Sequence, residues 1–270
     1  MHKKGDRGES LLGTKPSYLS KWNKTKIIVG APKLASHVPE TRIMSRSSLL
    51  AMLNRYGMVY VKPDIGHQGV GVMKVEKLRK GYLVHYGTVR QRFGTFDGAY
   101  KWIEKNRKRR VYLVQRGIRM IRLGGRPVDF RVMIQRNEKR NWEVTGTLAR
   151  MAHPGKPVTN GSQGGTIYSS RPLLNKVAGS SRGAAILRQF RELAYRSAYR
   201  LAGSYPKLNE LGLDVALDTN KRSWILEINT GPDAKPFVLL DDQSIIRRIV
   251  KLAKRYGRHY DLTVRKAKKG

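Results

Sequence analysis

Three side chains with oxygen donors lie on two neighbouring predicted strands in the last quarter of the chain. Asp214 falls within one apolar run, and Glu227 and Asn229 occupy alternate positions of the next run. Because successive side chains of a strand point to opposite faces, Glu227 and Asn229 share a face, and a short hairpin can bring Asp214 to the same face. Two carboxylates and an amide suit Mg²⁺, which completes its octahedron with water and phosphate oxygens. The pattern indicates a magnesium site; the alternative is an edge strand with ordinary exposed polar residues.

A lysine at the end of another apolar run precedes a loop that is rich in glycine. Lys62 ends the run, and Gly66, Gly69 and Gly71 follow it. Glycine lets backbone N–H groups approach phosphates closely, and the lysine adds a positive charge. The segment is not a P-loop, because no Gly-Lys-Ser/Thr ends it and a strand rather than a helix is expected next. It indicates a phosphate site, with a plain glycine-rich hairpin as the alternative.

Arginines occur beside these segments in settings that could bind phosphate or carboxylate. Asp129 and Arg131 share one face of a predicted strand, and Arg150 ends another strand just before a loop. Arginine forks match the geometry of both anions. Since the chain has 55 lysines and arginines, any one arginine taken alone is more often a surface residue. These arginines therefore indicate an anion site only in combination with the other motifs.

The charge of the chain is strongly unbalanced. Lysine and arginine number 55 against 19 aspartates and glutamates, a formal net charge of +36, and the excess extends along all 270 residues. Such a chain attracts polyanions at low salt. We interpret the excess as a solvated basic surface adapted to an anionic environment. A dedicated nucleic-acid site is the alternative, although no zinc-finger or RRM signature supports it.

Composition also excludes several classes of protein. There is no cysteine, which excludes a disulfide scaffold, thiolate metal sites and a cysteine nucleophile. No segment approaches the roughly 20 apolar residues of a membrane span, and no apolar segment follows the basic N-terminus as in a secretory signal. We expect a cytoplasmic protein without a membrane span.

The alternation of helical and strand patterns predicts an α+β fold. Predicted helices cover residues 46–56 after a Ser45 cap, 96–105, 186–202 and 243–256 after an Asp242 cap. Predicted strands cover residues 27–30, 58–62, 70–75, 82–92 with a break at Gly87, 112–115, 128–135, 142–149, 213–217 and 224–229. Residues 1–25 are expected to form an arm, 153–166 a loop, and the basic tail from residue 265 to be loose.

In their order and spacing these residues resemble the ATP-grasp superfamily over residues 59–232. The resemblance implies metal ligands at Asp214, Glu227 and Asn229. It implies a phosphate-covering lid made by Lys62, Gly66, Gln68, Gly69 and Gly71, and a hinge that holds adenine at Gln115, Arg116 and Ile118. It also implies a stretch against the terminal phosphate, as in glutamate-adding ligases of this superfamily: Asp129, Arg131, Arg150, Asn160, Gly164 and Gly165.

A narrower set of residues is similar to the YheC/YheD family, whose members are described as endospore-coat-associated. The similarity rests on Pro39-Glu40-Thr41, Lys62-Pro63, Gln115, Asp129-Phe130-Arg131 and Val158-Thr159-Asn160 ahead of Gly164-Gly165. It implies an ATP-grasp fold in which two α/β lobes hold the nucleotide between them. About 57 residues precede the Lys62 strand, so we expect a reduced N-terminal domain. The expected division is a basic arm at 1–25, an ATP-grasp domain at 26–260 with a lid lobe at 58–115 and a larger lobe at 116–260, and a basic tail at 261–270.

The resemblance implies a ligase that uses ATP and Mg²⁺ to join a carboxylate to an amine through an acyl phosphate. Asp129 then belongs to the nucleotide site, and Arg131, Arg150 and Asn160 act at the terminal phosphate. The basic surface suggests an acidic carboxylate substrate, an acidic peptide or an acidic polymer, and the family suggests association with the spore or its coat. One alternative is a non-catalytic, ATP-grasp-like coat protein that binds anionic polymers. The other is a nucleic-acid-binding protein, which is supported by the positive charge but by no sequence motif.

Overall fold

The computed structural model describes residues 18–66, 69–154, 165–264 and 267–270. Its helices are α1 Lys21–Val29, α2 Pro32–Ala35, α3 Arg46–Tyr56, α4 Phe96–Asn106, α5 Ser170–Ala178, α6 Ser180–Ser204 and α7 Gln243–Arg255, with a 3₁₀ helix at Lys235–Leu239. Its strands are β1 Thr41–Ile43, β2 Met58–Pro63, β3 Met73–Lys77, β4 Tyr82–Tyr86, β5 Val89–Phe93, β6 Tyr112–Arg116, β7 Arg122–Leu123, β8 Arg126–Arg136, β9 Trp142–Met151, β10 Thr166–Ser169, β11 Glu210–Leu217, β12 Ser223–Asn229 and β13 Lys268–Lys269. The predicted α+β class is confirmed.

The first sheet is antiparallel and has the strand order β1-β6-β2-β3-β4-β5. Helices α3 and α4 bury their apolar side chains against it, as Leu53 and Ile103 do beside Val59. Residues three and four apart share a helix face, which is why these helices present one apolar stripe to the strands. This sheet forms one wall of the cleft described below.

The second sheet has the order β12-β11-β8-β9-β10-β13, with β7 paired to β8. Its strands pair antiparallel except β10 and β13, which run parallel. One face packs on α6, where the rings of Phe130 and Phe190 lie 5.0 Å apart between centroids. The other face is covered at one end by α7 and the 3₁₀ helix, which bury Met133 with Phe237 and Ile249.

The alternation along β8 explains where the site lies. Asp129 and Arg131 share a face with Met133 and Gln135, because side chains two apart on a strand point the same way. Gln135 lies beneath α7, where its amide nitrogen donates to the carbonyl of Ile249 at 3.1 Å. The end of this face that α7 leaves uncovered carries Asp129 and Arg131, and it faces the first sheet across the cleft.

Several predicted elements are confirmed with their boundary signals. Ser45 caps α3 through a capping box with Ser48, and Gly57 ends the helix in the left-handed region at φ 69°. Asp242 caps α7 by accepting from the backbone of Ser244. The two long hairpins, β8–β9 and β11–β12, lie where alternating apolar residues predicted them.

Three local predictions are wrong. The strand expected at residues 27–30 belongs to α1, which begins after the Ser20 cap. The strand expected at 70–75 begins only at Met73, after a turn at Gly69 and Val70. The tail is not loose at its end, because Lys268–Lys269 pairs with β10. The division into arm, lid lobe, larger lobe and tail stays a prediction.

In the part of the chain that the structure describes, no helix has the length and apolar character needed to cross a membrane.

Candidate functional site

A cleft of about 760 Å³ lies between the two sheets. The first sheet contributes Tyr60 and Lys62, and the second contributes side chains from β8, β9, β11 and β12. The predicted residues that line the cleft are Lys62, Gly69, Gln115, Arg116, Ile118, Asp129, Arg150, Asp214 and Glu227. An adjoining pocket adds Gly66, Arg131 and Asn229 and shares Lys62, Asp214 and Glu227 with the cleft. The structure thus brings together most of the predicted site residues.

The two predicted metal carboxylates lie directly opposite each other across β11 and β12. Asp214 pairs with Glu227, and Gly212 pairs with Asn229. The amide nitrogen of Asn229 donates to Asp214 Oδ2 at 3.4 Å. A β-bulge follows at once, since Val215 pairs with Ile225 and leaves Leu226 as the extra residue. The side chains of the triplet therefore converge at one place on the sheet.

Two buried arginines hold Asp214. Arg131 Nε donates to Asp214 Oδ1 at 2.6 Å, and Arg150 Nη2 lies 2.9 Å from the same oxygen. Arg150 also donates to both carboxylate oxygens of Asp129, at 2.8 and 2.7 Å. Burial alone would raise the pKa of Asp214, but the charges of Arg131 and Arg150 reverse this effect and hold the pKa below its usual value. Asp214 is therefore ionised at neutral pH.

Lys62 links the two sheets. Its ammonium donates to Gln115 Oε1 at 2.9 Å and to the carbonyl of Leu226 at 3.1 Å. A bulge leaves the extra residue unpaired in the ladder, which explains why this carbonyl is available to a side chain of the other sheet. Burial lowers the pKa of Lys62 to about 8, although the charge of Glu227 opposes that shift.

Sequence reasoning missed two lysines that lie beside the triplet. Lys21 and Lys24 belong to α1 and are buried, at 8 and 6% exposure. Lys21 Nζ lies 3.5 Å from Glu227 Oε1 and donates to the carbonyl of Gly66 at 2.7 Å. Burial lowers the pKa of Lys24 to about 8, with Glu227 again opposing the shift. The Ser20 cap could have signalled the start of a helix, but two lysines on its inner face do not form an apolar stripe that would signal their burial.

The glycine loop is described in part. Gly69 and Gly71 have φ values of 69° and 81°, a region that other residues rarely adopt, so glycine is required at both positions. Gly66 is fastened to α1 through Lys21, and Gly69 lines the cleft. Gln68 lies outside the described residues. The phosphate-covering role of the loop stays a prediction.

The predicted hinge lies where β6 leaves the first sheet. The Gln115 amide nitrogen donates to Thr41 Oγ1 at 3.0 Å, which fixes the amide oxygen toward Lys62. The Arg116 guanidinium lies over the rings of Tyr56 and Trp224, 5.0 and 4.8 Å from their centroids. Ile118 is buried on the cleft wall. Thr41 belongs to the segment Pro39-Glu40-Thr41, and its hydroxyl contributes to the site by orienting the Gln115 amide.

A glycine that was not singled out makes room for an arginine. A Cβ at Gly212 would lie 2.6 Å from Pro232 Cβ and 3.2 Å from Arg131 Cδ. A side chain at this position, which pairs with Asn229, would therefore collide with Pro232 and crowd the Arg131 side chain that reaches Asp214.

The terminal-phosphate stretch has three further predicted positions: Asn160, Gly164 and Gly165. Asn160 and Gly164 lie outside the described residues. Gly165 does not line the cleft or the adjoining pocket, and its carbonyl accepts a hydrogen bond from the backbone of Lys268. The roles implied for these three residues stay predictions.

The donor set is compatible with a hard divalent cation. Within the described residues, no three His, Cys, Asp or Glu side chains form a metal-type group, because the triplet contains two carboxylates and one amide. Arg131 and Arg150 both engage Oδ1 of Asp214, whereas the polar contact of Oδ2 among the described residues is the 3.4 Å hydrogen bond from Asn229. Asp214 Oδ2, Glu227 and the amide oxygen of Asn229 are oxygen donors of the kind that Mg²⁺ prefers.

Comparisons with known proteins show to which family the chain belongs. The family model described as YheC/D like ATP-grasp matches residues 12–259. The endospore coat-associated protein YheD of Bacillus subtilis (strain 168) is 24% identical over 228 residues, which are 82% of this chain and 50% of that protein. The endospore coat-associated protein YheC of the same organism is 26% identical over 204 residues, which are 74% of this chain and 56% of that protein. The chain thus spans about half the length of the curated relatives it matches.

Among solved structures, an N5-carboxyaminoimidazole synthase from Aspergillus clavatus, in complex with ADP and an aminoimidazole ribonucleotide, has a TM-score of 0.46. The sequence identity is 11%, and the match covers 78% of this chain and 44% of that one.

Proposed function

Because the chain belongs to the YheC/D-like ATP-grasp family, we propose that it binds Mg-ATP in the cleft and uses it to join a carboxylate to an amine. The substrate carboxylate is activated as an acyl phosphate. By analogy with relatives that are named endospore coat-associated, the proposal includes a location in the cytoplasm of the sporulating cell or at the spore coat.

One observation carries the proposal. The partly buried carboxylates of Asp214 and Glu227 lie opposite each other on β11 and β12, in a cleft where Lys21 and Lys62 are buried. Charged groups that are withdrawn from water cost desolvation energy, and a site that binds a metal and phosphates offsets this cost. A purely structural protein would have no need of such a set.

The proposed reaction has two steps. A carboxylate oxygen of the acid substrate attacks the γ-phosphorus of ATP, and the bond from that phosphorus to the bridging oxygen breaks with its electron pair leaving on ADP. The amine nitrogen then attacks the acyl carbon, the bond from that carbon to the phosphate oxygen breaks, and inorganic phosphate leaves. The amine loses a proton, and an amide results. No protein nucleophile is required, in agreement with a chain that contains no cysteine.

The residues of this chain position the reactants. Lys21 and Lys62 supply fixed positive charge next to the glycine loop, and Arg131 and Arg150 supply it next to Asp214. Charge that is already held in place stabilises a developing negative charge without reorganisation. Asp214, Glu227 and Asn229 would hold Mg²⁺, which would neutralise phosphate charge when it is bound.

Calorimetric titration of ATP into the protein, with and without Mg²⁺, tests the proposal. We expect micromolar binding in the presence of Mg²⁺ and clearly weaker binding in its absence. A result of this kind justifies screening pairs of acids and amines for phosphate release. If wild-type protein fails to bind ATP in both conditions, the ATP-grasp fold serves as a scaffold, and the non-catalytic coat protein becomes the better account.

Binding of ATP should be coupled to uptake of protons at a pH just above 8. The pKa values of Lys62 and Lys24 are lowered to about 8 in the free protein, so each lysine has lost its proton in about half of the molecules at that pH. A bound triphosphate favours the charged ammonium and raises both pKa values again. Apparent affinity should therefore change little well below pH 8 and fall as pH rises through that value.

Titrations in buffers with different ionisation enthalpies measure this uptake directly. The Lys62→Met variant, in which an apolar side chain of similar length replaces the ammonium, should take up fewer protons than the wild type. Equal uptake by the two proteins would show that Lys62 is not the group that titrates.

A further inference from the structure

A large basic groove adjoins the nucleotide cleft but lies outside it. It shares Tyr60, Ile118 and Met120 with the wall of the cleft. The residues that line the adjoining metal and phosphate pocket, such as Asp214 and Glu227, do not line the groove. The groove therefore opens from the part of the cleft away from the predicted metal ligands.

Six cationic side chains line this groove: Lys74, Arg90, Arg119, Arg122, Arg126 and Lys221. They come from both sheets, with Lys74 on β3 and Arg90 on β5 in the first sheet, and the others on the segments around β7 and on the β11–β12 turn. We call these six residues and the space between them the basic groove. Two walls from different sheets make it a concave surface and not a stripe on one face.

Most of these cations have no carboxylate partner. Glu76 pairs with Lys74 at 2.9 Å. None of the other five forms an ion pair with a carboxylate of the described residues, and Arg122 donates only to the carbonyl of Gly125. Like charges held in a concave site repel each other and focus a positive potential, so the arrangement is most stable when an anion with several charges is bound.

Part of the lining between the cations is aliphatic. Met58, Ile118, Met120 and Val177 contribute apolar surface, whereas Tyr60 is the single Phe, Tyr or Trp side chain in the described lining, which also contains His85 and His153. Proteins that bind single-stranded nucleic acid place bases on several aromatic platforms. Methylene groups of an acidic polypeptide suit an aliphatic surface, and its carboxylates suit arginine forks.

We propose that the basic groove binds an extended polypeptide segment rich in aspartate and glutamate. The ligand is recognised as a row of carboxylates over an aliphatic floor. This binding does not depend on the proposed turnover of ATP, because it uses none of the residues assigned to Mg²⁺ or to the phosphates.

A short fluorescein-labelled oligo-L-glutamate serves as the probe, with fluorescence anisotropy of the full chain as the readout. The test variant is Arg90→Glu/Arg126→Glu, which changes one residue on each wall of the groove. The control variant is Arg188→Glu/Arg191→Glu on α6, since both arginines are exposed and the net charge changes equally. We expect the groove variant to weaken binding by about tenfold or more relative to the control, because the change removes local attraction and adds repulsion.

Two results would overturn the proposal. Equal weakening by the two variants would mean attraction to the whole basic surface. The second result concerns an oligothymidylate of the same nominal charge. If it binds more tightly than the oligo-glutamate and loses its binding in the groove variant, the groove is a nucleic-acid site. If circular dichroism shows that the double charge reversal unfolds the protein, Arg90→Gln/Arg126→Gln is measured instead against Arg188→Gln/Arg191→Gln.

Titration of ATP into the groove variant separates this proposal from the proposed function. Mg-ATP binding should be unchanged in that variant, because neither substituted residue lines the cleft. If the wild-type protein binds oligo-glutamate through the groove but does not bind ATP, the proposed ligase activity is refuted and the proposed binding of acidic polypeptides is retained.

Discussion

Replacing Glu227 with glutamine should abolish most of the gain in ATP affinity that Mg²⁺ provides, while the fold is retained. Glutamine keeps the shape of the side chain and removes its charge. Glu227 is partly exposed, whereas Lys21, its one ion-pair partner in the described chain at 3.5 Å, is buried. The change should therefore cost less stability than breaking a pair in which both partners are buried. We expect Mg-dependent binding to fall by roughly 100-fold, since even the outer partners of metal ligands contribute about 10- to 100-fold to metal affinity.

Glu76 provides a matched control for this experiment. Its side chain is 30% exposed, compared with 24% for Glu227, and it also pairs with a lysine. It lies in the basic groove and not among the predicted metal ligands. Glu76→Gln should therefore leave Mg-dependent ATP binding unchanged, and calorimetry with and without Mg²⁺ measures both variants. If Glu227→Gln behaves like Glu76→Gln, the assignment of Glu227 to the metal is wrong.

The choice of Glu227 over Asp214 follows from their surroundings. Asp214 neutralises Arg131 and Arg150, both buried. An Asp214→Asn variant leaves these two arginines with less negative charge and so perturbs stability together with metal binding. Of the two carboxylates, Glu227 is therefore the one at which loss of metal binding can be measured with less disturbance of the fold.

The part of the site that sequence could predict is the part set by local rules. The period of two along a strand places Glu227 and Asn229 on one face, and a short polar turn brings Asp214 beside them. The paired strands β11 and β12 follow this pattern, apart from the bulge at Leu226. Nothing in the apolar pattern specifies that bulge, although its carbonyl is what Lys62 binds.

The part that sequence could not predict depends on tertiary burial. Lysine is usually a surface residue, and the inner face of α1 carries Lys21 and Lys24 in place of an apolar stripe. The sequence pattern therefore does not indicate that this face is buried. Strand β13 consists of two exposed lysines that pair with β10. Nothing in the sequence of a basic tail predicts this pairing. Likeness to a family implied a phosphate role for Arg150, but only the structure reveals that its guanidinium is held by Asp129 and Asp214.

Replacing Arg150 with methionine should lower the free energy of unfolding by roughly 3–5 kcal/mol, the usual cost of breaking a buried ion pair by removing one partner. Arg150 is 5% exposed and Asp129 2% exposed, so the carboxylate of Asp129 would lose its bidentate partner in a site with little water. Urea unfolding measures this change. The second substitution, Asp129→Leu in the Arg150→Met background, should recover most of the loss, because it removes the buried charge as well.

Arg248 is the matched control for the stability measurement. It also holds two carboxylates, Glu138 and Glu143, but its side chain is 32% exposed. Ion pairs near the surface contribute up to about 1 kcal/mol each, so Arg248→Met should be much milder than Arg150→Met. Equal effects would show that burial is not what makes the Arg150 pair important.

The Asp129→Leu/Arg150→Met variant also tests whether this ion pair does more in the site than support Asp214. If support is its whole role, then Arg131, which donates to Asp214 Oδ1 at 2.6 Å, still holds that carboxylate in the variant. Mg-ATP should then bind nearly as well as in the wild type. If Asp129 or Arg150 contacts the nucleotide, as the family implies for both, binding should stay weak although stability has returned. Calorimetry on a variant that urea unfolding has shown to be stable separates a part in nucleotide binding from support of the fold, which the single substitution would confound.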